Sequence, residues 1–266
     1  MLDSYNRNIN YLRISVTDRC NLRCTYCMPA EGINLIEHDK VLKFEEIVEF
    51  TRVAVAKGIN KVRLTGGEPL VRKGIVDLVK MLAEIKGIND LGMTTNGILL
   101  PKYAKDLKKA GLGRVNVSLD TLHPLKFKAV TRGGELHDVL VGIEAAKEAG
   151  LNPVKINTVI KKDIHEPDAA ELAEWAERND VQIRFISQMD LEKGKFGIVH
   201  GGTGGDCKIC NRLRLTSDGY IKPCLFNDAG ISIREVPYEE AFEQAIQLKP
   251  KCGESASTNK FYNMGG

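Results

Sequence analysis

The chain has 266 residues, 43% of them hydrophobic, which suits one large packed domain with a modest appendage and makes disorder a poor default. Its 38 basic and 35 acidic residues leave a net charge of +3, which argues against a broad nucleic-acid surface or a polybasic membrane arm, so any positive site has to be local. No stretch approaches the roughly 18 uncharged apolar residues of a membrane helix, and residues 1–7 show no apolar signal region, so a cytoplasmic protein that binds neither membrane nor nucleic acid is expected.

In chain order, six short runs rich in strand-forming residues appear at 12–16, 61–65, 91–95, 114–119, 154–160 and 182–186. Amphipathic stretches between them predict helices at 44–57, 75–85, 101–110 and 139–149, with proline at the start of one and glycine after each. Strands alternating with helices mean parallel βα units. The fold class expected is α/β, a partial (βα)6 TIM-like barrel over residues 1–200, with an open doubly wound sheet as the alternative. Polar or glycine-rich elements follow the strands, at Thr17-Asp18-Arg19-Cys20, Thr65-Gly66-Gly67-Glu68, Thr94-Thr95-Asn96-Gly97, Ser118-Leu119-Asp120 and Met189-Asp190. Active sites of barrels and parallel sheets sit at such strand ends. Beyond Met189 the pattern breaks into a glycine-rich linker. Residues 201–266 read as a small second module, with a hairpin turning at Asp218-Gly219, a short helix at 239–248 and a Gly265-Gly266 end.

Seven cysteines, six of them in two tight groups, suit metal ligation in a reducing compartment better than a disulfide framework; Cys252 is left over as a free thiol. Cys20, Cys24 and Cys27 put three thiolates on one loop, one fewer than a closed tetrahedral site takes. An open position on a metal invites a substrate or cofactor. A zinc knuckle completed by His38 is the plainer reading of that loop. For Cys207, Cys210 and Cys224 a zinc site closed by Cys252 competes with an open cluster. Arg212 and Arg214 alternate along one strand, so both side chains point to one face beside these thiols, and two guanidiniums there suit an anion such as a phosphate. A solvated basic edge strand is the alternative.

The run Arg13-Ile-Ser-Val-Thr-Asp-Arg-Cys20-Asn-Leu-Arg-Cys24-Thr-Tyr-Cys27-Met-Pro, followed by Arg63-Leu-Thr-Gly-Gly-Glu-Pro-Leu, resembles the radical S-adenosylmethionine (SAM) superfamily. With Thr94-Thr-Asn-Gly, Arg114-Val-Asn-Val-Ser118-Leu-Asp, Ile183-Arg-Phe-Ile-Ser-Gln-Met189-Asp and Cys207-Lys-Ile-Cys210-Asn-Arg212-Leu-Arg214, it is similar to the GTP 3′,8-cyclase family of molybdenum cofactor biosynthesis across almost its whole length. The resemblance implies a radical enzyme that cyclises GTP to (8S)-3′,8-cyclo-7,8-dihydroguanosine 5′-triphosphate with SAM and two [4Fe-4S] clusters. It implies Cys20, Cys24 and Cys27 on the first cluster and Cys207, Cys210 and Cys224 on the second. Tyr26, Gly67, Ser118 and Met189 match SAM contacts. Arg13, Arg63, Thr94, Lys155, Arg212 and Arg214 match GTP contacts. Arg13, Arg212 and Arg214, together with a Gly265-Gly266 tail entering the site, carry catalytic roles by the same resemblance, ordinary terminal disorder being the plain reading of the tail.

A flavodoxin or ferredoxin reductant and a downstream cyclic pyranopterin monophosphate synthase are likewise implied, and a homodimer is left open. Family members usually carry a longer segment than residues 191–206 between Asp190 and Cys207, and the shortening bears on the wall sheltering the second cluster. A paralogue acting on another nucleotide or a peptide is the competing enzyme. A non-catalytic iron-sulfur carrier or zinc scaffold is the competing class, and the Gly66-Gly67-Glu68-Pro69 turn argues against it.

Overall fold

Six strands, β1 (Tyr11–Ser15), β2 (Lys61–Thr65), β3 (Asp90–Thr95), β4 (Arg114–Ser118), β5 (Lys155–Ile160) and β6 (Gln182–Ser187), lie parallel and hydrogen-bonded in chain order in the computed structural model, which describes residues 1–264. Gly265 and Gly266, which the resemblance brings into catalysis, lie outside the described residues. On the other side of β1 the sheet continues through β7 (Arg212–Leu215), parallel to β1, and then through β8 (Tyr220–Lys222) and β9 (Ile231–Ser232), both antiparallel. The two edges, β6 and β9, do not meet, so the barrel is partial.

Period-two alternation divides the strands into an apolar and a polar face. Leu12, Ile14, Val62, Leu64, Leu91, Met93, Val115, Val117 and Ile156 are buried in one core cluster with α1 (Phe44–Ala56), α2 (Ile75–Ala83), α3 (Leu100–Lys109) and α5 (Leu136–Glu148). The opposite face carries Tyr11, Arg13, Lys61, Arg63, Asn116, Asn157, Arg184, Arg212 and Arg214, which line the concave side. Register aligns these residues laterally: Arg214, Arg13 and Arg63 are direct partners across β7, β1 and β2, as are Arg212, Tyr11 and Lys61. Gly92 stands opposite Arg63. A Cβ there would lie 3.3 Å from the Arg63 guanidinium, so glycine makes room for that side chain.

Three helices go beyond those predicted: α4 (Pro124–Thr131), α6 (Pro167–Arg178) and the one-turn helix at Phe261–Met264. In α4 only Phe127 and Thr131 are buried, so the apolar spacing that signals a helix is nearly absent. The α6 sequence does carry helix formers and a proline at its first position, a readable signal. The last helices are α7 (Tyr238–Gln247) and α8 (Phe261–Met264). No helix among the described residues is long and apolar enough to cross a membrane.

Residues 191–206 form neither helix nor long strand, yet they are tied to the barrel. Phe185 and His200 exchange backbone hydrogen bonds, and Val199 N–H donates to Gly204 O at 2.8 Å. A Cβ on Gly205 would lie 1.8 Å from Gly197 O, so this short segment folds back on itself only with glycine there.

Candidate active site at the barrel mouth

The first thiol loop follows β1 and is locked to the turn after β2. Gly67 N–H donates to Thr17 O at 2.7 Å and Glu68 N–H to Arg19 O at 2.8 Å. A Cβ on Gly67 would sit 2.4 Å from Arg19 O, and one on Gly66, at φ +156°, 2.6 Å from Thr17 O. The glycines therefore allow two backbones to pack edge to edge. Glu68, fully buried, then spans to the next strand: its carboxylate accepts from Leu70 N–H at 3.0 Å, Thr95 Oγ1 at 2.7 Å and Asn96 N–H at 2.7 Å. Burial raises its pKa to about 7, against those hydrogen bonds. Asn96 closes the ring by donating to Asn21 Oδ1, inside the cysteine loop, at 2.7 Å.

Cys20, Cys24 and Cys27 line one pocket together with Tyr26, Gly67, Thr94, Ser118 and Met189. Burial pushes the Cys20 thiol up to about 11 and those of Cys24 and Cys27 up to about 12. Thiols held this way ionise only against a strong cation, and loading iron releases their protons. Among the described residues no three histidine, cysteine or carboxylate side chains close round a single ion. In a four-iron cluster each thiolate takes a different iron, so a cluster asks for three converging thiols and not for a one-ion cage. Tyr26 Oη donates to Asp120 at 2.8 Å, and Asp120 also accepts from Val159 N–H, so the aromatic ring is fixed across the pocket from β4 and β5. The Thr94 hydroxyl is buried without a hydrogen-bond partner among the described residues, a polar atom facing a pocket that fits a polar cofactor.

The second thiol group faces a second pocket. Cys207 and Cys210 precede β7, and the β7–β8 hairpin returns Cys224 to them, so all three line a cavity with Arg13, Arg63, Arg212 and Arg214. Residues of the short 191–206 segment, among them Phe196, Val199 and Gly202, form part of its wall, so that segment still covers the cavity. Crowded cations set the electrostatics. Burial, then Arg13 and Arg212, bring Arg214 down to about 9. Burial opposes ionisation of Tyr11, but Arg13, Arg63, Arg212 and Lys61 outweigh it and bring the phenol down to about 7.

The six grouped cysteines, Tyr26, Gly67, Ser118, Met189, Arg13, Arg63, Arg212 and Arg214, all singled out in the sequence, line one or other pocket; two further residues lie elsewhere than expected, and many lining residues were not singled out. Thr94 lines the first pocket and not the cationic one. Lys155 is on the wall of neither; it donates to Gln182, and burial followed by Arg184, Arg114, Arg63 and Lys61 brings it down to about 8. Arg184 and Asn157, missed in the sequence, line the cationic pocket, and the signal for Arg184 was a charge in the middle of a parallel strand. Lys249, also missed, is a buried ammonium donating to Arg212 O at 2.7 Å, Pro223 O at 2.8 Å and Cys210 Sγ at 3.5 Å. Burial opposes a Cys210 thiolate, but Lys249 and the Arg212 amide and charge outweigh it and lower that pKa. Cys252, expected as an unattached thiol, lies 3.1 Å from Cys207, sulfur to sulfur. The two pockets adjoin: Asn157, Ile186 and Met189 line both.

Residues 14–176 match the profile of the Radical SAM superfamily, and residues 135–259 match that of Molybdenum Cofactor Synthesis C. A GTP 3′,8-cyclase of Thermodesulfovibrio yellowstonii is 44% identical over 305 aligned positions, covering 94% of this chain and 95% of that protein. One of Petrotoga mobilis is 41% identical over 302 positions, with 94% of each covered. Both alignments exceed the 266 residues of this chain, so both relatives carry insertions relative to it. Among solved structures, Streptococcus suis SuiB bound to S-adenosylmethionine superposes with a TM-score of 0.69 at 18% identity, over 89% of this chain and 65% of that one, a likeness of fold.

Proposed function

Because the chain belongs to the GTP 3′,8-cyclase family of the radical SAM superfamily, we propose that its two adjoining pockets divide one reaction between them. The reaction is the first step of molybdenum cofactor biosynthesis, conversion of GTP to (8S)-3′,8-cyclo-7,8-dihydroguanosine 5′-triphosphate. A [4Fe-4S] cluster and SAM, when bound, supply the 5′-deoxyadenosyl radical that opens chemistry at C3′ of the ribose.

We assign Cys20, Cys24 and Cys27 to that cluster. Tyr26, Gly67, Ser118 and Met189 hold SAM, with the Thr94 hydroxyl as an additional polar contact. Arg13, Arg63, Arg212 and Arg214 take the triphosphate of GTP, joined by Arg184. In a nearly neutral chain this pocket sets seven basic side chains against the single carboxylate of Asp206, and paired guanidiniums match phosphate oxygens two at a time. Lys155, set back from the wall, adds charge at longer range. Cys207, Cys210 and Cys224 hold a second [4Fe-4S] cluster beside the base. Lys249 carries the compensating charge at Cys210. Reductant from a flavodoxin or ferredoxin, and handover of product to cyclic pyranopterin monophosphate synthase, complete the reading.

The single observation behind it is the common wall. Asn157, Ile186 and Met189 touch both pockets, so groups held in each meet without crossing solvent. The test is an anaerobic assay of reconstituted protein with dithionite, SAM and GTP, following 5′-deoxyadenosine and the cyclised nucleotide by mass spectrometry. Both products from protein with about eight irons per chain, two four-iron clusters, are expected. 5′-Deoxyadenosine with no GTP-derived product would overturn the assignment of the cationic pocket to GTP.

A further inference from the structure

Cys252 and Cys207 form a sulfur pair at the rim of the second thiol group. The Cys252 thiol donates to Cys207 Sγ at 3.1 Å, and a disulfide bond is about 2.05 Å long, so a shift on the order of 1 Å separates the pair from a covalent link. The approach is built. One guanidinium, Arg7, grips both loop segments that carry the sulfurs: its Nη1 donates to Cys207 O at 2.8 Å and to Lys251 O at 3.1 Å, while Nη2 donates to Pro250 O at 2.7 Å. Asp3, buried against Arg7 Nε at 2.6 Å, fixes that guanidinium in turn. On the far side, a Cβ on Gly253 would meet Phe226 Cβ at 2.6 Å and Cys224 Sγ at 3.3 Å, so the backbone after Cys252 is pressed against the Cys224 loop. Cys252 is exposed and Cys207 half-buried, so small thiol reagents reach the pair. Cys210, by contrast, is engaged by the Lys249 ammonium.

We infer that Cys207 and Cys252 are a reversible thiol–disulfide modification site that controls whether the second thiol group accepts iron. The oxidant is a low-molecular-weight disulfide. One of the two protein thiols, as its thiolate, attacks a sulfur of the small disulfide, breaking the S–S bond and releasing one small thiolate; the other protein thiol, as its thiolate, then displaces the second small thiol from the mixed disulfide, forming the Cys207–Cys252 bond. Two protein thiols lose two electrons and two protons, and the small disulfide gains both as two thiols. The bridge withholds Cys207, leaving Cys210 and Cys224, too few ligands for a cluster. Thiol reduction restores the set. This rests on the assignment of a second cluster to Cys207, Cys210 and Cys224.

The test treats full-length, metal-free protein anaerobically with oxidised glutathione, then counts free thiols and maps unreduced peptides. The count is expected to fall from seven to five, with one peptide joining Cys207 to Cys252, and to recover with dithiothreitol; Cys252→Ser is expected to form no internal bridge. Loading with iron and sulfide should then give about four irons per chain in the bridged protein and about eight in the reduced protein and in Cys252→Ser. Peptide maps taken after loading verify that the bridge persisted. An unchanged thiol count, a bridge between other cysteines, or full loading of the bridged protein overturns the inference. About four irons in every sample overturns the second cluster itself, and the thiol count still decides independently whether the bridge exists.

Discussion

Arg214 Nη1 donates to the backbone carbonyl of Met264 at 3.4 Å, which ties the last described residue to a strand of the cationic pocket. The same tail is held at Asn263, whose Oδ1 accepts from Ser217 Oγ at 3.2 Å, and Phe261 lines the first thiol pocket. The segment therefore bridges the two pockets immediately before Gly265 and Gly266. Ending the chain after Met264, whose buried side chain packs with Leu225 and Phe226 beside Cys224 and is kept, should lower 5′-deoxyadenosine formation by about 10²-fold, the scale of loss when reacting groups are misplaced. Iron content should not change. An unaltered rate in the shortened protein would remove the tail from the reaction.

Arg212→Ala combined with Arg214→Ala separates the two pockets. Each charge-assisted hydrogen bond to phosphate is worth about 1.5–3 kcal/mol, so the pair should weaken GTP binding by roughly 10²–10⁴-fold. SAM cleavage should continue uncoupled, because neither arginine lines the first pocket. Calorimetry gives the affinity, and chromatography of 5′-deoxyadenosine against cyclised nucleotide gives the coupling. Full product from the double variant would sink the phosphate assignment.

Much of this was legible in the sequence because each signal is local. The strand runs, the helix punctuation and the two cysteine groups need only spacing, and Arg212 and Arg214 need only the period-two rule. The glycine turn was legible as a motif but not in its reason, since the backbone it accommodates, Thr17 to Arg19, is some fifty residues away in the chain. Lys249 was not legible at all. A lysine after a short helix reads as solvated, and only the return of the chain beside Cys210 buries it. Cys252 was read as a free thiol, with closure of a zinc site beside Cys207 as the alternative, and spacing could not choose between them, because its approach to Cys207 is set by Arg7, near the other end of the chain.

Tyr11 gives GTP binding a dependence on pH. Arg13, Arg63, Arg212 and Lys61 outweigh the burial that opposes its ionisation, and its pKa is lowered to about 7. Below that pH the phenol is neutral and leaves the positive charge of the pocket undiminished for phosphate; above it the phenolate offsets one unit of that charge. Affinity for GTP should therefore fall as pH rises from 7 to 8, by at most about tenfold per unit for one linked proton. Tyr11→Phe should flatten that slope, while ionisation of GTP itself contributes equally to both proteins. Equal slopes in calorimetric titrations would exclude Tyr11 as the linked group.

Lys249→Met tests the buried ammonium at the second thiol group. The substitution keeps the aliphatic length but leaves Pro223 O, which is buried, and Arg212 O without their donor. Each unsatisfied carbonyl costs about 1–3 kcal/mol, which thermal unfolding of the metal-free protein should register as a lowered Tm. The charge acts separately on the cluster. A cation beside Cys210 favours the reduced, more negative state, so removing it should move the midpoint of the second cluster to more negative potential while leaving the first unchanged. Potentiometric titration followed by electron paramagnetic resonance distinguishes the two effects. A lowered Tm with an unmoved midpoint would make Lys249 a structural clamp only, whereas a shifted midpoint, with Lys249→Arg restoring it, would make it the residue that sets the potential of that cluster.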